Sequence, residues 1–173
     1  HMAVAGGYCA GKNAAHYSRR NLFAPLHEPQ VREEMARIVA PLKRTEGIGY
    51  LEVEEVLRQI MSEHAGPYRT KTSLTTGLSK IKALRKALRE IKARNLHELM
   101  RAMETESLIK VGEVLTEAAL FRTESRFIPY HYREDYPETD NLHWCGQVLV
   151  TQRGEKIVTQ FKPILYKAAG EKT

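Results

Sequence analysis

Apolar residues recur at three- and four-residue steps from about residue 31 to residue 122, which places them on one face of an α-helix. Four such stripes, separated by glycine and proline residues that interrupt the pattern, predict four helices. The stripes are Val31, Met35, Ile38, Val39 and Leu42; Val53, Val56, Leu57, Ile60 and Met61; Leu74, Leu78, Ile81, Leu84, Leu88 and Ile91; and Leu96, Leu99, Met103, Val111, Val114, Leu115 and Ala118.

Capping and breaking residues set the predicted boundaries of these helices. The first helix is expected from about Val31 to Lys43, and Gly66-Pro67 ends the second. Asn95 can cap the fourth helix, and Glu98 stands where a capping-box acid belongs. The fourth helix is long and is expected to reach about Arg122.

The N-terminal residues carry a different pattern. Residues Tyr8 to Asn21 predict a short alanine-rich helix that begins after Gly6-Gly7, and residues Leu22 to Gln30, with two prolines, predict a linker. His1-Met2 is typical of a cloning scar and is excluded from the fold prediction. The first residues after it suggest a piece of a longer protein.

The pattern changes again after Pro137. Val148 to Thr151 and Ile157 to Phe161 are short β-like runs, and Arg153-Gly154-Glu155 between them suggests a hairpin turn. The predicted fold is therefore mainly α: an antiparallel bundle of three to four helices over residues 31–122, with an irregular C-terminal arm and a small β-hairpin over residues 123–173.

Composition narrows the class of protein only a little. The chain has 173 residues, which predicts one domain, and its net charge of +6 permits nucleic acid, an acidic partner or an anionic ligand. No apolar run approaches the roughly 20 residues that span a bilayer. Its two cysteines, Cys9 and Cys145, do not make a disulfide framework, which favours the reducing cytoplasm.

The run from Glu124 to Pro137 is the richest in chemistry, because it combines arginines, acids, tyrosines and prolines without a helical pattern. Its acids could perform acid–base chemistry if a concave pocket held two of them together. A network of charge-assisted hydrogen bonds that fixes the arm is the preferred interpretation. The interface or structural candidates are Glu124, Ser125, Arg126, Tyr130, Arg133, Asp135 and Trp144.

Two other motifs resemble sites but lack residues that their chemistry needs. Gly6 to Asn13 matches most of a phosphate-binding loop, but Asn13 replaces the hydroxyl residue that would bind Mg²⁺. His131, His143 and Cys145 lack the number and spacing of ligands that a zinc site needs. No catalytic, cofactor-binding or metal-binding residue is therefore predicted.

The predicted third helix has a basic face that could hold nucleic acid phosphates. No aromatic residue interleaves these cations to stack bases, so a solvated helix face is preferred. A stand-alone basic helical module that binds nucleic acid remains the alternative function. The basic residues are Lys82, Arg85, Lys86, Arg89 and Lys92.

Two stretches resemble the C-terminal region of the fumarate reductase/succinate dehydrogenase flavoprotein family. One is residues 94–104 leading into Ala118–Arg126, which ends in Glu-Ser-Arg; the other is Tyr130–Pro137, followed by Asp140-Asn141 and Trp144. The aromatic-x-Pro-Tyr-x-Tyr-Arg-x-Asp run is most similar to the adenylylsulfate reductase flavoprotein branch. Many fumarate reductases carry a glycine directly after Glu-Ser-Arg, where this chain has Phe127.

The resemblance implies a role within a larger enzyme. Residues 3–30 are similar to the last helix of the family's FAD-binding domain plus a linker, and the parent protein would carry FAD and exchange electrons with an iron–sulfur subunit. The family's flavin and substrate residues lie in domains upstream of Ala3, so none is transferred to this chain, and neither FAD binding nor activity is expected from it alone. Without that upstream domain, an exposed apolar patch and self-association are expected.

Overall fold

The computed structural model describes residues 2–21, 23, 25–154 and 156–164. The chain divides into two compact units, His1–Arg37 and Ile38–Thr173, each of which is described by itself.

The first unit is helical. Helix α1 spans Met2–Arg20 and therefore runs through Gly6-Gly7, which were wrongly predicted to precede the helix. Helix α2 spans Glu28–Val39 and begins inside the predicted linker, with proline in its first turn, where the missing N–H costs nothing. No residue of α2 is buried, so Val31 and Met35 do not form the core stripe that their spacing predicted.

The second unit holds the bundle, the arm and the hairpin. The fold class predicted from the sequence is confirmed: the unit is mainly α, with one small antiparallel hairpin. Its elements are a 3₁₀ helix at Ala40–Lys43, α3 at Tyr50–His64, β1 at Tyr68–Arg69, α4 at Lys71–Ala87, a second 3₁₀ helix at Leu88–Glu90, α5 at Leu96–Phe121, β2 at Tyr132–Arg133, α6 at Asn141–Trp144, β3 at Gly146–Arg153 and β4 at Lys156–Pro163.

The core forms where α3, α4 and α5 pack together. Its buried cluster contains members of the predicted second and third stripes, together with Ile109. Gly112 allows the close approach of α3, because a Cβ there would lie 3.3 Å from the Met61 sulfur. The cluster consists of Val53, Leu57, Ile60, Ile81 and Ile109.

Side-chain caps begin α4 and α5. Thr70 Oγ1 accepts a hydrogen bond from the Ser73 N–H, and Asn95 Oδ1 accepts one from the Glu98 N–H at 2.9 Å. The predicted cap at Asn95 is therefore confirmed. The Glu98 carboxylate accepts from the Arg94 N–H at 2.9 Å, one residue before the position that a standard capping box uses.

Helix α5 turns its most apolar stripe away from the bundle. Met100, Val111 and Leu115, which lie 51%, 54% and 56% exposed, share this face. The prediction that the stripe Leu96–Ala118 supplies the buried side was therefore wrong for most of its members. The residues of α5 that are buried are Leu99, Ala102, Thr105, Ile109, Gly112, Glu113, Thr116 and Ala119.

Paired acids explain why a more polar face of α5 can be buried. Glu54 of α3 is 1% exposed, and its carboxylate accepts hydrogen bonds from Arg101 at 2.9 Å and Thr105 at 3.2 Å. Glu113 accepts from Arg85 at 3.2 Å. Because each buried carboxylate has a charged partner, its desolvation is offset, and the apolar stripe is left on the other side.

The C-terminal hairpin is longer than the two β-like runs predicted. Strands β3 and β4 pair antiparallel from Gly146–Pro163 to Arg153–Lys156, and Gly154 has a φ of +61° at the turn, which suits glycine. Glu155 of the predicted turn lies outside the described residues. Upstream, β1 and β2 form a two-residue parallel pair. Among the described helices, none has both the length and the apolar character that a bilayer crossing needs.

Candidate functional site

Arg133 is fully buried and closes the C-terminal end of α5. Its Nη1 group donates to the Ala119 carbonyl at 2.8 Å and to the Arg122 carbonyl at 3.0 Å. The last carbonyls of a helix have no partners within the helix, so a cation at this position both satisfies them and meets the negative end of the helix dipole. This contact fixes the arm to the bundle.

Asp135 completes the attachment by joining Arg133 to α4. Its two oxygens accept from Arg133 Nε and Nη2, each at 2.8 Å, in the fork geometry of a strong arginine–carboxylate pair. Oδ2 also accepts from the Lys71 N–H at the start of α4. The hydrogen bond from Arg133 is the main reason that the pKa of Asp135 lies below its ordinary value.

Glu124 is the second buried node of the arm, at 1% exposure. Arg126 donates to it through Nε at 2.7 Å and Nη2 at 2.9 Å, the Asp140 N–H donates at 2.8 Å, and Arg122 also donates to Oε1. Burial alone would raise the pKa of Glu124, but the hydrogen bonds from Arg126, Asp140 and Arg122 outweigh it and hold that pKa below its usual range.

Ser125 ties the backbone of the arm together from a fully buried position. Its hydroxyl oxygen accepts from the Arg133 N–H at 2.8 Å, and the hydroxyl donates to the Tyr136 carbonyl at 2.8 Å. These two bonds tie the irregular part of the arm to the short strand β2.

Trp144 packs the hairpin against the end of α5. Its ring makes edge-to-face contacts with Phe121 at 5.6 Å and Phe161 at 5.3 Å, and the Arg122 guanidinium lies 5.3 Å from its centre. Arg122 also donates to the Gly146 carbonyl at 2.7 Å. Trp144 is half-buried, so it joins three elements rather than filling the core.

A tight loop between Arg126 and His131 projects from the arm. The Arg126 N–H donates to the His131 carbonyl at 2.8 Å, which closes the loop. Phe127 adopts a φ of +51°, the left-handed region that favours glycine, at the position where many fumarate reductases have one. Phe127 is 78% and Tyr130 is 81% exposed, so Tyr130 makes no core contact.

A pocket of about 330 Å³ opens beside this loop and is lined by α5, β3 and the arm. Arg69 and His131 lie in its wall, and Arg69 Nη1 is 3.2 Å from His131 Nδ1. Since an arginine can only donate, His131 accepts through Nδ1 and carries its proton on Nε2, which has no hydrogen-bond partner among the described residues.

The neutral state of His131 follows from its surroundings. Burial lowers its pKa below 6.5, the positive charges of Arg69, Arg122 and Arg133 lower it further, and a nearby carbonyl of Arg122 opposes them only in part.

Because His131 resists protonation in the folded state, acid is expected to destabilise the protein through this group. As the pH falls below 6.5, the unfolded chain takes up the proton first, so stability is lost down to the folded pKa. His131→Gln, which can still accept from Arg69, should remove this loss. When urea unfolding is measured from about pH 7.5 down to about pH 5.5, the unfolding free energy of wild type should fall relative to that of His131→Gln. The difference should grow by at most about 1.4 kcal/mol per pH unit. His97→Gln, at an exposed site, is the matched control substitution. A His131→Gln profile parallel to that of wild type would contradict the assignment.

The phosphate-loop and metal motifs of the sequence have ordinary structural positions. Gly6 to Asn13 lies within α1 and forms no loop. Across residues 2–21, 23, 25–154 and 156–164, no three histidine, cysteine or acidic side chains come together as a metal site, and Cys9 and Cys145 are free thiols.

Two members of the basic face of α4 are already paired with acids of α5. Lys82 Nζ lies 3.0 Å from Glu117, and Arg85 lies 3.2 Å from Glu113. Both cations therefore help to join two helices of the bundle. Of the other three predicted cations, Lys86 lies on α4, whereas Arg89 and Lys92 follow its end at Ala87.

The structure brings most of the predicted arm residues into two networks, one around Glu124 and one around Arg133, whereas the exposed Tyr130 lies outside both. Sequence reasoning missed Arg69 and Arg122, which contact both the arm and the pocket. Arg122 stands two residues before Glu124, a spacing that could have suggested a pair. Arg69 gives no local signal, because only the β1–β2 pairing brings it to the arm.

The fold and these networks define a helical domain whose C-terminal arm is held by buried arginine–carboxylate pairs. A family model described as the fumarate reductase flavoprotein C-terminal region matches residues 54–171. The chain belongs to that family, which confirms the resemblance seen in the arm.

Individual relatives agree with this assignment. An uncharacterized FAD-dependent oxidoreductase of Methanocaldococcus jannaschii is 28% identical over 87% of the chain. A fumarate reductase (CoM/CoB) polypeptide of Methanothermobacter marburgensis is 29% identical over 86% of the chain. The chain spans only 27% and 26% of their lengths. The structure of adenylylsulfate reductase from Archaeoglobus fulgidus has the same fold, with a TM-score of 0.81 and 24% identity over 87% of this chain and 26% of that one.

Proposed function

We propose that this chain is the C-terminal helical domain of an FAD-dependent oxidoreductase subunit, and that its own role is structural. It would brace the flavin-binding domain of the same polypeptide and offer a docking surface to an iron–sulfur electron-transfer partner. The observation that carries the proposal is the exposed apolar face of α5. Family membership and the short span relative to the two relatives support it.

The apolar face of α5 has the character of a surface that another domain covers. Met100, Val111 and Leu115 are each more than half exposed on a helix whose opposite face is buried. Large apolar side chains that lie exposed on one helix face are unfavourable in water and favour an interaction site. A flavin-binding domain of the same protein is the proposed occupant of this surface, because the region matched by this chain makes up only 27% and 26% of the two relatives.

The iron–sulfur partner is proposed from charge and from the family. The chain carries a net charge of +6, which favours an acidic partner surface. The exposed Phe127–Tyr130 loop adds apolar contact area of the kind that enriches interfaces. The reducing cytoplasm is the proposed location, since both cysteines are free thiols.

The described residues do not fit an FAD site. A dinucleotide site needs a glycine-rich turn between a strand and a helix, whereas Gly6, Gly7 and Gly11 lie within α1. No step of flavin chemistry is therefore assigned to this chain. A titration with FAD should show no tight binding. A separate titration with oligonucleotides, begun at low salt and repeated at higher salt, tests the nucleic-acid alternative, because binding that weakens steeply with salt would support that alternative.

Replacing Val111 with lysine tests the apolar face directly. Wild-type chain should self-associate at high concentration, and Val111→Lys should shift it toward monomer with a change in unfolding free energy of about 0.5 kcal/mol or less, since the side chain is already exposed. Sedimentation velocity measures the association. Leu142→Lys, at an 86% exposed position outside α5, is the matched control and should leave association unchanged.

The docking role itself is tested by co-expressing this chain with the flavin-binding portion of its parent protein as a separate polypeptide. Co-purification that Val111→Lys weakens and Leu142→Lys preserves is the expected result. A flavin-binding portion that folds, retains FAD and never associates with the wild-type chain would rule out the bracing role.

A further inference from the structure

The pocket beside the Arg126–His131 loop combines an apolar wall with an excess of positive charge. Leu115, Ala118 and Val148 supply the apolar side. Arg69 and Arg126 contribute guanidinium groups to the lining. With a volume of about 330 Å³, the pocket falls in the range that holds small organic groups.

The positive charge of this pocket is not balanced by the described residues. Three guanidinium groups, those of Arg69, Arg122 and Arg126, line the pocket, and Glu124 is the carboxylate that pairs with two of them. Arg69 forms no ion pair with an acidic side chain in the described part of the chain. Its Nε donates to the Ala65 and Gly66 carbonyls, and its Nη1 donates to the His131 ring.

Two guanidinium nitrogens of these arginines are open to solvent and have no protein partner among the described residues. Within the described ranges, Nη2 of Arg69 and Nη1 of Arg126 have no hydrogen-bond partner, although the other nitrogens of both side chains do. Burial lowers the pKa of Arg69, and the positive charge of Arg133 lowers it further, so both make the charged form of Arg69 less favourable. An anion placed against Arg69 would recover that cost.

We propose that this pocket binds a carboxylate group carried on an aromatic or aliphatic body. Nη2 of Arg69, whose other nitrogens already have partners, would donate to a carboxylate oxygen, and the apolar wall with the Phe127 and Tyr130 rings would receive the body. A phosphate dianion fits less well, because the apolar wall would desolvate two charges. Two sources share this chemistry: a free organic acid and an acidic side chain of a neighbouring protein segment.

Benzoate is the first probe, with benzyl alcohol as its neutral counterpart. Saturable binding to the wild-type chain in the millimolar range is expected, tighter than that of benzyl alcohol and weakened by salt. In NMR spectra the methyl signals of Leu115 and Val148 should shift, while those of the core residue Leu74 should not. This mapping needs no variant and so is independent of any folding defect.

Arg69→Met should weaken benzoate binding at least about tenfold, since a charge-assisted contact is lost. Arg89→Met is the matched control, because Arg89 is exposed and lies outside the pocket, and it should bind benzoate like wild type. Equal weakening by both variants, or benzoate shifts that avoid Leu115 and Val148, would overturn the proposal.

Two further probes separate the sources of the carboxylate. Tighter binding of N-acetyl-Phe-Asp-amide than of benzoate would assign the pocket to a protein segment, and the reverse would assign it to a free acid. Both results support a carboxylate site. Inorganic phosphate that binds more tightly than either probe, or no saturable binding of either carboxylate, would refute it.

Discussion

Arg133→Met is expected to lower the free energy of unfolding by about 3–5 kcal/mol, the usual cost of removing one partner of a buried ion pair. The substitution leaves the Asp135 carboxylate without its main partner and the Ala119 and Arg122 carbonyls without a donor. For a chain of this length the melting temperature should fall by roughly 6–20 °C. Thermal and urea unfolding followed by circular dichroism measure both quantities.

The matched control for Arg133→Met is Arg89→Met, which removes the same charge from an exposed position. Its stability should stay within about 0.5 kcal/mol of wild type. Arg133→Lys keeps the charge but loses the fork geometry, so an intermediate loss is expected. If Arg133→Met and Arg89→Met unfolded alike, Arg133 would not attach the arm to α5.

Glu124→Gln has the second-largest expected effect, a loss of about 2–3 kcal/mol. The amide oxygen can still accept two hydrogen bonds, but Arg122 and Arg126 lose the negative charge between them, and the amide N–H₂ group faces donors. The folded pKa of Glu124 lies below its ordinary 4.5, so the carboxylate contributes above that value and its contribution is lost as the pH falls through the folded pKa.

Urea unfolding of Glu124→Gln at neutral pH, and then below pH 4.5, tests both parts of this prediction. The gap between wild type and variant should close in acid, because protonation neutralises the same group. Glu134→Gln, ten residues further along at an exposed position, is the control and should be nearly neutral. A gap that persisted unchanged in acid would show that the loss comes from packing and not from charge.

The backbone at Phe127 gives a physical cause for a difference between sequences. The family resemblance marked this position only as a departure from the usual residue. The structure places it at a φ of +51°, where glycine has no steric cost and phenylalanine does. A glycine at this position would therefore avoid a steric cost that phenylalanine carries.

The sequence by itself determined the local structure of the bundle. Periodicity located α3, α4 and α5, the Asn95 cap fixed the start of the longest helix, and the turn residues located the hairpin. These features follow from interactions within a few residues, which a single sequence records. The same reasoning predicts that the residues of the arm form a structural network rather than an active site.

Only the tertiary structure decided which side of α5 is buried and how the arm is held. The apolar stripe of α5 is plain in the sequence, but the paired carboxylates of Glu54 and Glu113 draw the opposite face into the bundle. Arg69 reaches the pocket only through the short β1–β2 pairing, 62 residues away from His131 in the chain. Periodicity shows that a helix has an apolar face and a polar face. Which of the two meets the core depends here on charged partners that lie far apart in the sequence and come together only in the folded protein.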